Sequence, residues 1–209
     1  KSFENKNFNQ CLVEAKKILS KFPNSVALNN IAGAASQELG KLDAAKSHYE
    51  NALKTDSNNA DVLNNLGSVL LKIGNLVKAE AVLRKSIKIK NINSAAQNNL
   101  GLVLKECNKI ENAIQHFLIA LKINPEFLEA KINLSDCFRC IGELDQAIIY
   151  CEEAIHLSPN NPSALNNMGN AQNELGNHEK AIQNYNKAIS ILPTEAIYHN
   201  NLGNALRKK

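Results

Sequence analysis

The sequence has no tryptophan and few aromatic residues, which make up 5% of its 209 positions. Hydrophobic residues nevertheless account for 44% of the chain, so Leu, Ile, Val and Ala must fill the interior. Such a composition favours many small helix–helix contacts over one thick core. Long apolar runs are also missing, and none approaches the roughly 20 residues that span a bilayer. We therefore expect no membrane insertion, and nothing at the N-terminus is typical of a signal peptide.

Charge runs and a regular cysteine framework are lacking too. The formal net charge of +4 comes from dispersed lysines, and the basic run around Arg84 and Lys88 has no interleaved aromatic residues for base stacking. We therefore predict no nucleic-acid partner.

The five cysteines are odd in number and irregular in spacing, which favours a reducing, cytoplasmic setting. Because no second Cys or His pair accompanies Cys137 and Cys140 at a zinc spacing, we predict no metal and no cofactor.

What the sequence does contain is a 34-residue repeat. With repeat position 1 set at Val26, all nine glycines fall at two repeat positions. Position 8 holds Gly33, Gly67, Gly101, Gly169 and Gly203. Position 15 holds Gly40, Gly74, Gly142 and Gly176, with Asn108 in one repeat. A mid-helix Gly costs about 1 kcal/mol relative to Ala, so at position 8 we expect close approach of two helix backbones. Position 15 is predicted to end the first helix, because Gly and Asn tolerate left-handed backbone geometry.

The second half of each repeat has the pattern of an amphipathic helix. Position 20 is Ala in five repeats, and position 27 is Ala or Ser, so small residues seven apart lie on one helical face. Between them, position 24 holds bulky Tyr49, Leu83, Phe117 and Tyr185. Proline at position 32 of several repeats is expected to end this helix nearby. Each unit is therefore predicted to be a pair of antiparallel helices.

This small–large pattern at positions 8, 20, 24, 27 and 32 resembles the tetratricopeptide repeat family over essentially the whole chain. The resemblance implies an all-α, right-handed superhelical solenoid of antiparallel helix pairs. We predict a single array with full repeats at 26–59, 60–93, 94–127, 128–161 and 162–195. Residues 1–25 are predicted to hold the end of a first helix and a full second helix, and residues 196–209 a capping helix. Gln97, Lys131 and His199 depart from the large residue favoured at position 4 and are expected to weaken individual units.

The family resemblance further implies a concave groove lined by the first helices, with contacts from positions 2, 5, 6, 9, 12 and 13. At positions 5 and 6 of the five full repeats, 8 of 10 residues are Asn, whereas the 32 Asn of the chain would place about 1.5 there. Asn is a mediocre helix former, by roughly 0.6 kcal/mol relative to Ala, so some interaction must offset this repeated cost. In one interpretation these amides bond the neighbouring repeat and serve structure only. In the other they form an Asn ladder that matches the N–H and C=O groups of an extended peptide.

The second interpretation yields a set of candidate peptide-binding residues. They are Asn30, Asn64, Asn65, Asn98, Asn99, Asn133, Asn166, Asn167, Asn170 and Asn201. The groove predicted in this way is similar to that of the O-linked N-acetylglucosamine transferases, whose repeats precede a catalytic domain that this chain does not contain. Positions 2, 5 and 6 lack the Lys and Arg of a chaperone-tail clamp. Six acidic against three basic groove residues favour a neutral or basic guest.

Three functions remain open at this point. The leading hypothesis is a protein interaction module that binds an extended peptide through the Asn ladder. The alternatives are the substrate-recruiting arm of a larger, glycosyltransferase-like enzyme and a scaffold that self-associates through open repeat ends. No nucleotide-binding or hydrolase motif occurs, and no acid, base and nucleophile converge, so we predict no enzymatic activity for this chain. Because the sequence begins with Lys1 rather than Met, we expect it to be a piece of a longer protein.

Overall fold

The computed structural model describes residues 2–209, with side chains from residue 7 onward; Lys1 lies outside the described residues. All the regular secondary structure in this range is helical, which confirms the all-α prediction. The helices are α1 (Ser2–Leu19), α2 (Val26–Glu38), α3 (Leu42–Thr55), α4 (Ala60–Ile73), α5 (Leu76–Ile89), α6 (Ser94–Glu106), α7 (Ile110–Ile123), α8 (Leu128–Cys140), α9 (Leu144–Leu157), α10 (Pro162–Glu174), α11 (His178–Ile191) and α12 (Ala196–Lys208).

Helices α1 to α6 form one compact unit and helices α7 to α12 form a second. Within each unit every helix packs against the next one along the chain. Alternate helices also touch, α2 with α4 and α4 with α6 in the first unit, and α8 with α10 and α10 with α12 in the second. These alternate helices begin at repeat position 1, and we call them A helices. Their partners α3, α5, α7, α9 and α11 begin at position 17, and we call them B helices.

The ends of the A helices follow the predicted signals. The four glycines of position 15 have φ between +71° and +84°, and Asn108 has φ of 57°. These residues therefore make the left-handed turn that separates the A helix from the B helix. At the other end, Asn59, Asn93 and Asn161 each accept a hydrogen bond from the backbone N–H three residues on, which caps the next A helix.

The B helices end near position 32, as predicted, whereas the predicted end of a first helix within residues 1–25 is wrong. The last residue of each B helix is at position 30, including the helices followed by Ser57 or Asn91 instead of proline. The residue at position 31 is extended, with φ near −130° in α3 and α5, and this geometry leads directly into the capped A helix. At the N-terminus, α1 runs without a break through position 15, so no separate first helix ends there. That position holds Lys6, which has no preference for the left-handed turn.

The glycines of position 8 make room for a side chain rather than for a second backbone. A Cβ added at Gly33 or Gly169 would lie 2.5 Å from the ring of Tyr49 or Tyr185, and one added at Gly67 would lie 2.5 Å from Leu83 Cγ. All three of these B-helix side chains are buried. The close approach predicted at position 8 is therefore between a Gly on the A helix and the bulky residue of position 24 on its B helix.

Repeat 128–161 reverses this size pairing. Its position 24 is the small residue Cys151, and its position 8 is Ser135 rather than Gly. Both side chains are buried. A smaller B-helix residue thus leaves space for a larger A-helix residue at the same contact.

The buried cysteines give a test of this packing. Cys137 and Cys151 are buried and Cys140 is exposed, and burial raises the pKa of the Cys151 thiol to about 11. Only the thiolate reacts with iodoacetamide, so at pH 8 we expect Cys140 to be alkylated while Cys151 is modified only after unfolding. Peptide mass spectrometry over a time course measures both rates. Equal rates for Cys140 and Cys151 in the folded protein would contradict this packing.

Candidate functional site

The A helices of each unit present one common surface, which we call the A face of that unit. All ten candidate asparagines lie on A helices, at positions 5, 6 and 9. Asn98 and Asn166 are buried, and the other eight are partly exposed. Most of these side chains are therefore partly accessible to solvent as well as being close enough to a neighbouring helix to bond to it.

In the first unit the position 6 amides bond to the preceding repeat. Asn65 donates from Nδ2 to Asn30 Oδ1 at 3.1 Å, and Asn99 donates from Nδ2 to Asn64 Oδ1 at 2.9 Å. Each bond thus joins position 6 of one A helix to position 5 of the A helix before it. The asparagines of positions 5 and 6 form a regular set of contacts between adjacent A helices.

The second unit repeats this arrangement with one variation. Asn201 donates from Nδ2 to Asn166 Oδ1 at 2.9 Å. Position 5 of α8 is Ile132, which has no side-chain acceptor, and Asn167 donates instead to the Ile132 backbone oxygen and to Ser135 Oγ, each at 3.1 Å. Asn133 lies partly exposed at position 6 of α8. The structural interpretation of the asparagine pairs is therefore observed for four of the position 6 amides.

These bonds also fix which way the amides face. A side-chain amide offers two donor hydrogens and a carbonyl oxygen with two acceptor sites. Because Nδ2 of Asn65, Asn99, Asn167 and Asn201 is turned toward the preceding repeat, Oδ1 of each is turned away from that bond. Oδ1 of Asn65 accepts one bond, of 3.4 Å, from Nδ2 of the adjacent Asn64. The four amides at position 6 therefore share one orientation, with Nδ2 bonded to the preceding repeat and Oδ1 still able to accept a hydrogen bond.

The A face of the second unit contains a polar pocket between α10 and α12. Its volume is about 300 Å³, and its lining includes Asn170, Asn173, Asn201, Asn204, Arg139 and Tyr185. An adjoining pocket of about 410 Å³ shares Asn173 and Asn204. Two of the four asparagines, Asn170 and Asn201, are among the predicted binding residues. Asn173 and Asn204 were not in the predicted set, although they occupy positions 12 and 9, which were predicted to line the groove.

The charge of Arg139 at this pocket is compensated. Its guanidinium donates to Asp136 Oδ1 and to Glu174 Oε1, each at 2.8 Å. Burial opposes the charged form, but the hydrogen bonds to these two carboxylates outweigh burial and raise the pKa of Arg139. The guanidinium therefore serves to join α8 to α10, and this part of the pocket has no unpaired positive charge that would favour an anionic guest.

Tyr185 is a site residue that the sequence analysis missed. Its ring comes from the B helix α11 and lies against Gly169, and its hydroxyl donates to Asn170 Oδ1 at 2.8 Å. Burial and the Glu174 carboxylate raise the pKa of Tyr185 to about 12, so the hydroxyl keeps its donor proton at neutral pH. The signal was present in the sequence as Tyr at position 24, Gly at position 8 and Asn at position 9 of the same repeat.

The comparisons with known proteins agree with the helix pairs. Sequence models described as tetratricopeptide repeats match residues 36–100, 98–162 and 150–183, and one described as a TPR repeat matches residues 169–209. The chain is built of tetratricopeptide repeats. The repeats of this family stack helix pairs into extended surfaces that typically bind other proteins. No curated protein sequence matches the chain.

Solved tetratricopeptide structures have the same fold. PilF of Pseudomonas aeruginosa is 21% identical with a TM-score of 0.82, and the match covers 99% of this chain and 92% of PilF. YrrB, whose structure is described as that of a TPR protein with an unusual peptide-binding site, is 22% identical with a TM-score of 0.65, covering 89% and 96%. MamA is 26% identical with a TM-score of 0.66, covering 79% and 97%. None of the helices within residues 2–209 has the length and apolar character needed to cross a membrane.

Cys137 and Cys140 both lie on the A helix α8 but differ in exposure. Cys137 is buried in the core and Cys140 is exposed. Among residues 7–209, no three His, Cys, Asp or Glu side chains are grouped so that they could hold a metal ion.

Proposed function

We propose that this tetratricopeptide chain binds an extended segment of a partner protein on its A face, and that the asparagine amides contact the main chain of the guest. The observation that carries this proposal is the constant polarity of the position 6 amides. Asn65, Asn99, Asn167 and Asn201 donate to the preceding repeat and so keep Oδ1 as an acceptor for a guest N–H. At Asn65 one of the two acceptor sites of Oδ1 is taken by Asn64. Amide contacts to the main chain select little for sequence, so we expect guests to share an extended backbone conformation rather than a sequence motif.

The spacing of the amides suits an extended guest. Packed helices lie about 8 to 10 Å apart, and an extended chain rises about 3.3 Å per residue. One position 6 amide would therefore meet roughly every third residue of a guest that crosses the A helices. The peptide-binding site reported for YrrB supports the view that this fold can accommodate a peptide.

The charge of the A face favours a guest without acidic residues. Arg139 is already held by Asp136 and Glu174, and Glu129 is exposed at position 2 of α8. Asp61, at the same position of α4, is exposed and pairs with Lys90 at 3.3 Å. Electrostatic complementarity of this kind changes association rate and partner choice more than it changes affinity. We propose a neutral or basic segment as the guest.

Removal of one ladder amide tests the proposal. Peptides selected from a random display library against the whole chain provide the probe, and fluorescence anisotropy measures their affinity. We expect Asn201→Ala to weaken binding about five- to tenfold, because a guest loses one hydrogen bond and the supporting bond to Asn166 is also lost. Circular dichroism should show unchanged helicity, since Ala is the better helix former.

The matched control is Asn186→Ala. Asn186 is exposed on the B helix α11, so its removal changes composition equally but leaves the A face intact. We expect the selected peptides to bind this variant with the affinity of the unchanged chain. Equal affinities for Asn201→Ala and Asn186→Ala would contradict binding through the A-face amides.

A further inference from the structure

Three asparagines of the pocket between α10 and α12 have their carbonyl oxygens engaged by donors. Tyr185 donates to Asn170 Oδ1 at 2.8 Å, and Arg207 Nη2 donates to Asn204 Oδ1 at 2.6 Å. Asn173 Oδ1 lies 2.8 Å from His178 Nδ1, and since a carbonyl oxygen only accepts, the imidazole is the donor. Among the described residues, no acceptor takes the Nδ2 hydrogens of these three amides.

The donor and acceptor ends of these amides are used the other way round from those of the position 6 amides. Asn167 and Asn201 use Nδ2 toward the preceding repeat and keep Oδ1 as an acceptor. The asparagines at positions 9 and 12 use Oδ1 within their own part of the fold and keep Nδ2 as a donor. Positions 6 and 9 are neighbours on a helix surface, about 5 to 6 Å apart. The second unit therefore has a row of donors beside a row of acceptors, which we call the donor row and the acceptor row.

We propose that the donor row of Asn170, Asn173 and Asn204 binds carbonyl oxygens of the guest, so that on this side the guest is recognised without its N–H groups. The partner class that follows is an extended segment in which proline or another residue without a backbone N–H can lie over the donor row, while Asn167 and Asn201 of the acceptor row take N–H groups of its other residues. This inference rests on the proposed peptide binding and specifies what the pocket of the second unit requires from the guest.

A neutral carbonyl fits this pocket better than an anion. The three donors are uncharged amides, and the nearby Arg139 is paired with Asp136 and Glu174. Glu174 lines both pockets, and Arg207 and Lys208 line only the adjoining one. In the pocket between α10 and α12 an incoming carboxylate or phosphate would therefore meet a like charge. Main-chain carbonyls offer the acceptor without that repulsion, and proline keeps its carbonyl while losing the N–H.

Tyr185 acts in this inference as a positioning residue. Its ring is buried and held against Gly169, so the hydroxyl has little freedom to move away from Asn170. Tyr185→Phe keeps the ring in the same space and removes only the donor that orients the Asn170 amide. We expect this variant to fold normally, to shift the Nδ2 proton signals of Asn170 in a nuclear magnetic resonance spectrum, and to bind selected peptides about fivefold more weakly.

Tyr49→Phe is the matched control. Tyr49 occupies the same repeat position in the first unit, is equally buried, and lies against Gly33. The next residue is Ala34, which has no amide to orient. We expect Tyr49→Phe to leave peptide affinity unchanged.

The experiment that tests the donor row modifies the guest. Each selected peptide is resynthesised with a single backbone N-methyl group, or with a single alkene in place of one amide, at successive positions. N-methylation replaces the N–H hydrogen by a methyl group and keeps the carbonyl, whereas the alkene removes both the N–H and the carbonyl oxygen. At the residues over the donor row we expect N-methylation to change affinity less than twofold and the alkene to weaken binding about tenfold, since a hydrogen bond is lost only in the second case.

The outcomes separate this inference from the proposed function. The loss of affinity caused by the alkene is compared in the two protein variants. If this loss is smaller in Tyr185→Phe than in the unchanged chain but not smaller in Tyr49→Phe, the donor row is supported, because the alkene and the Tyr185 substitution then act on one interaction. Affinity lost on N-methylation at every position, or an alkene penalty that is the same in both variants, would overturn it. If either overturning result is found but Asn201→Ala still weakens peptide binding, only the donor row is contradicted and the proposed function stands. If Asn201→Ala does not weaken binding, the donor row and the proposed function are both contradicted.

Discussion

Gly169→Ala is expected to lower the free energy of unfolding by about 2 kcal/mol, the net of an overpacking cost and the gain in helix propensity. The added Cβ would lie 2.5 Å from Cε1 and 2.7 Å from Cδ1 of Tyr185. An aromatic ring cannot bend, so the whole side chain or the two helices must move apart. The same displacement separates the Tyr185 hydroxyl from Asn170, and the variant should therefore lose peptide affinity as well. Thermal unfolding followed by circular dichroism measures the stability change.

Gly203→Ala is the control, because Gly203 has the same repeat position on α12. A Cβ there would have no atom within 4 Å among the described residues. With no steric cost, the change should raise stability by about 0.5 to 1 kcal/mol through helix propensity and the smaller freedom of the unfolded chain. Stability changes of the same sign in Gly169→Ala and Gly203→Ala would contradict the explanation of these glycines as contact sites for position 24.

The two halves of the Lys131–Glu153 ion pair are expected to respond in opposite directions when removed. Lys131 is buried at position 4 and bonds to Glu153, where the corresponding residues Leu63 and Leu165 are buried and apolar. Lys131→Leu removes a charge that is costly to bury and leaves Glu153, whose side chain is 45% exposed, in contact with water. We expect a gain in the free energy of unfolding of about 1 kcal/mol.

Glu153→Ala leaves the buried ammonium of Lys131 without this carboxylate. Removing one partner of a buried pair destabilises strongly, but the exposure of Glu153 reduces the effect, so we expect a loss of about 1 to 2 kcal/mol. Chemical denaturation of both variants measures these changes. Destabilisation of similar size in Lys131→Leu and Glu153→Ala would show that the pair contributes net stability, contrary to this prediction.

The repeat made much of the fold predictable. A Gly every 34 residues implied a left-handed turn at position 15 and a tight contact at position 8, and the structure has both. The contact itself was predicted as backbone against backbone, because spacing shows where a side chain is missing but not what fills the space. The B-helix ends near position 32 were predictable too, because proline disfavours helical geometry in the residue before it, and Asn124, which precedes Pro125, is extended.

The candidate site was predictable in residue type but not in bonding. Over-representation of Asn at positions 5 and 6 identified the A helices as special, yet it could not separate bonds between repeats from bonds to a guest. That distinction depends on how adjacent A helices are offset, which brings Asn201 to Asn166 rather than to its own neighbour. Tyr185 was missed because its hydroxyl reaches the A face across Gly169, and a periodic pattern assigns the whole ring to the core.

The most direct test of peptide binding on the A face is a titration of the chain, labelled at the asparagine side chains, with a selected peptide in a nuclear magnetic resonance experiment. Binding through the amides predicts that the Nδ2 proton signals of Asn167, Asn170 and Asn201 shift as peptide is added, while those of Asn112 and Asn186, exposed on B helices, stay in place. Shifts confined to the B-helix asparagines, or peptide saturation with no change at Asn167, Asn170 and Asn201, would contradict it.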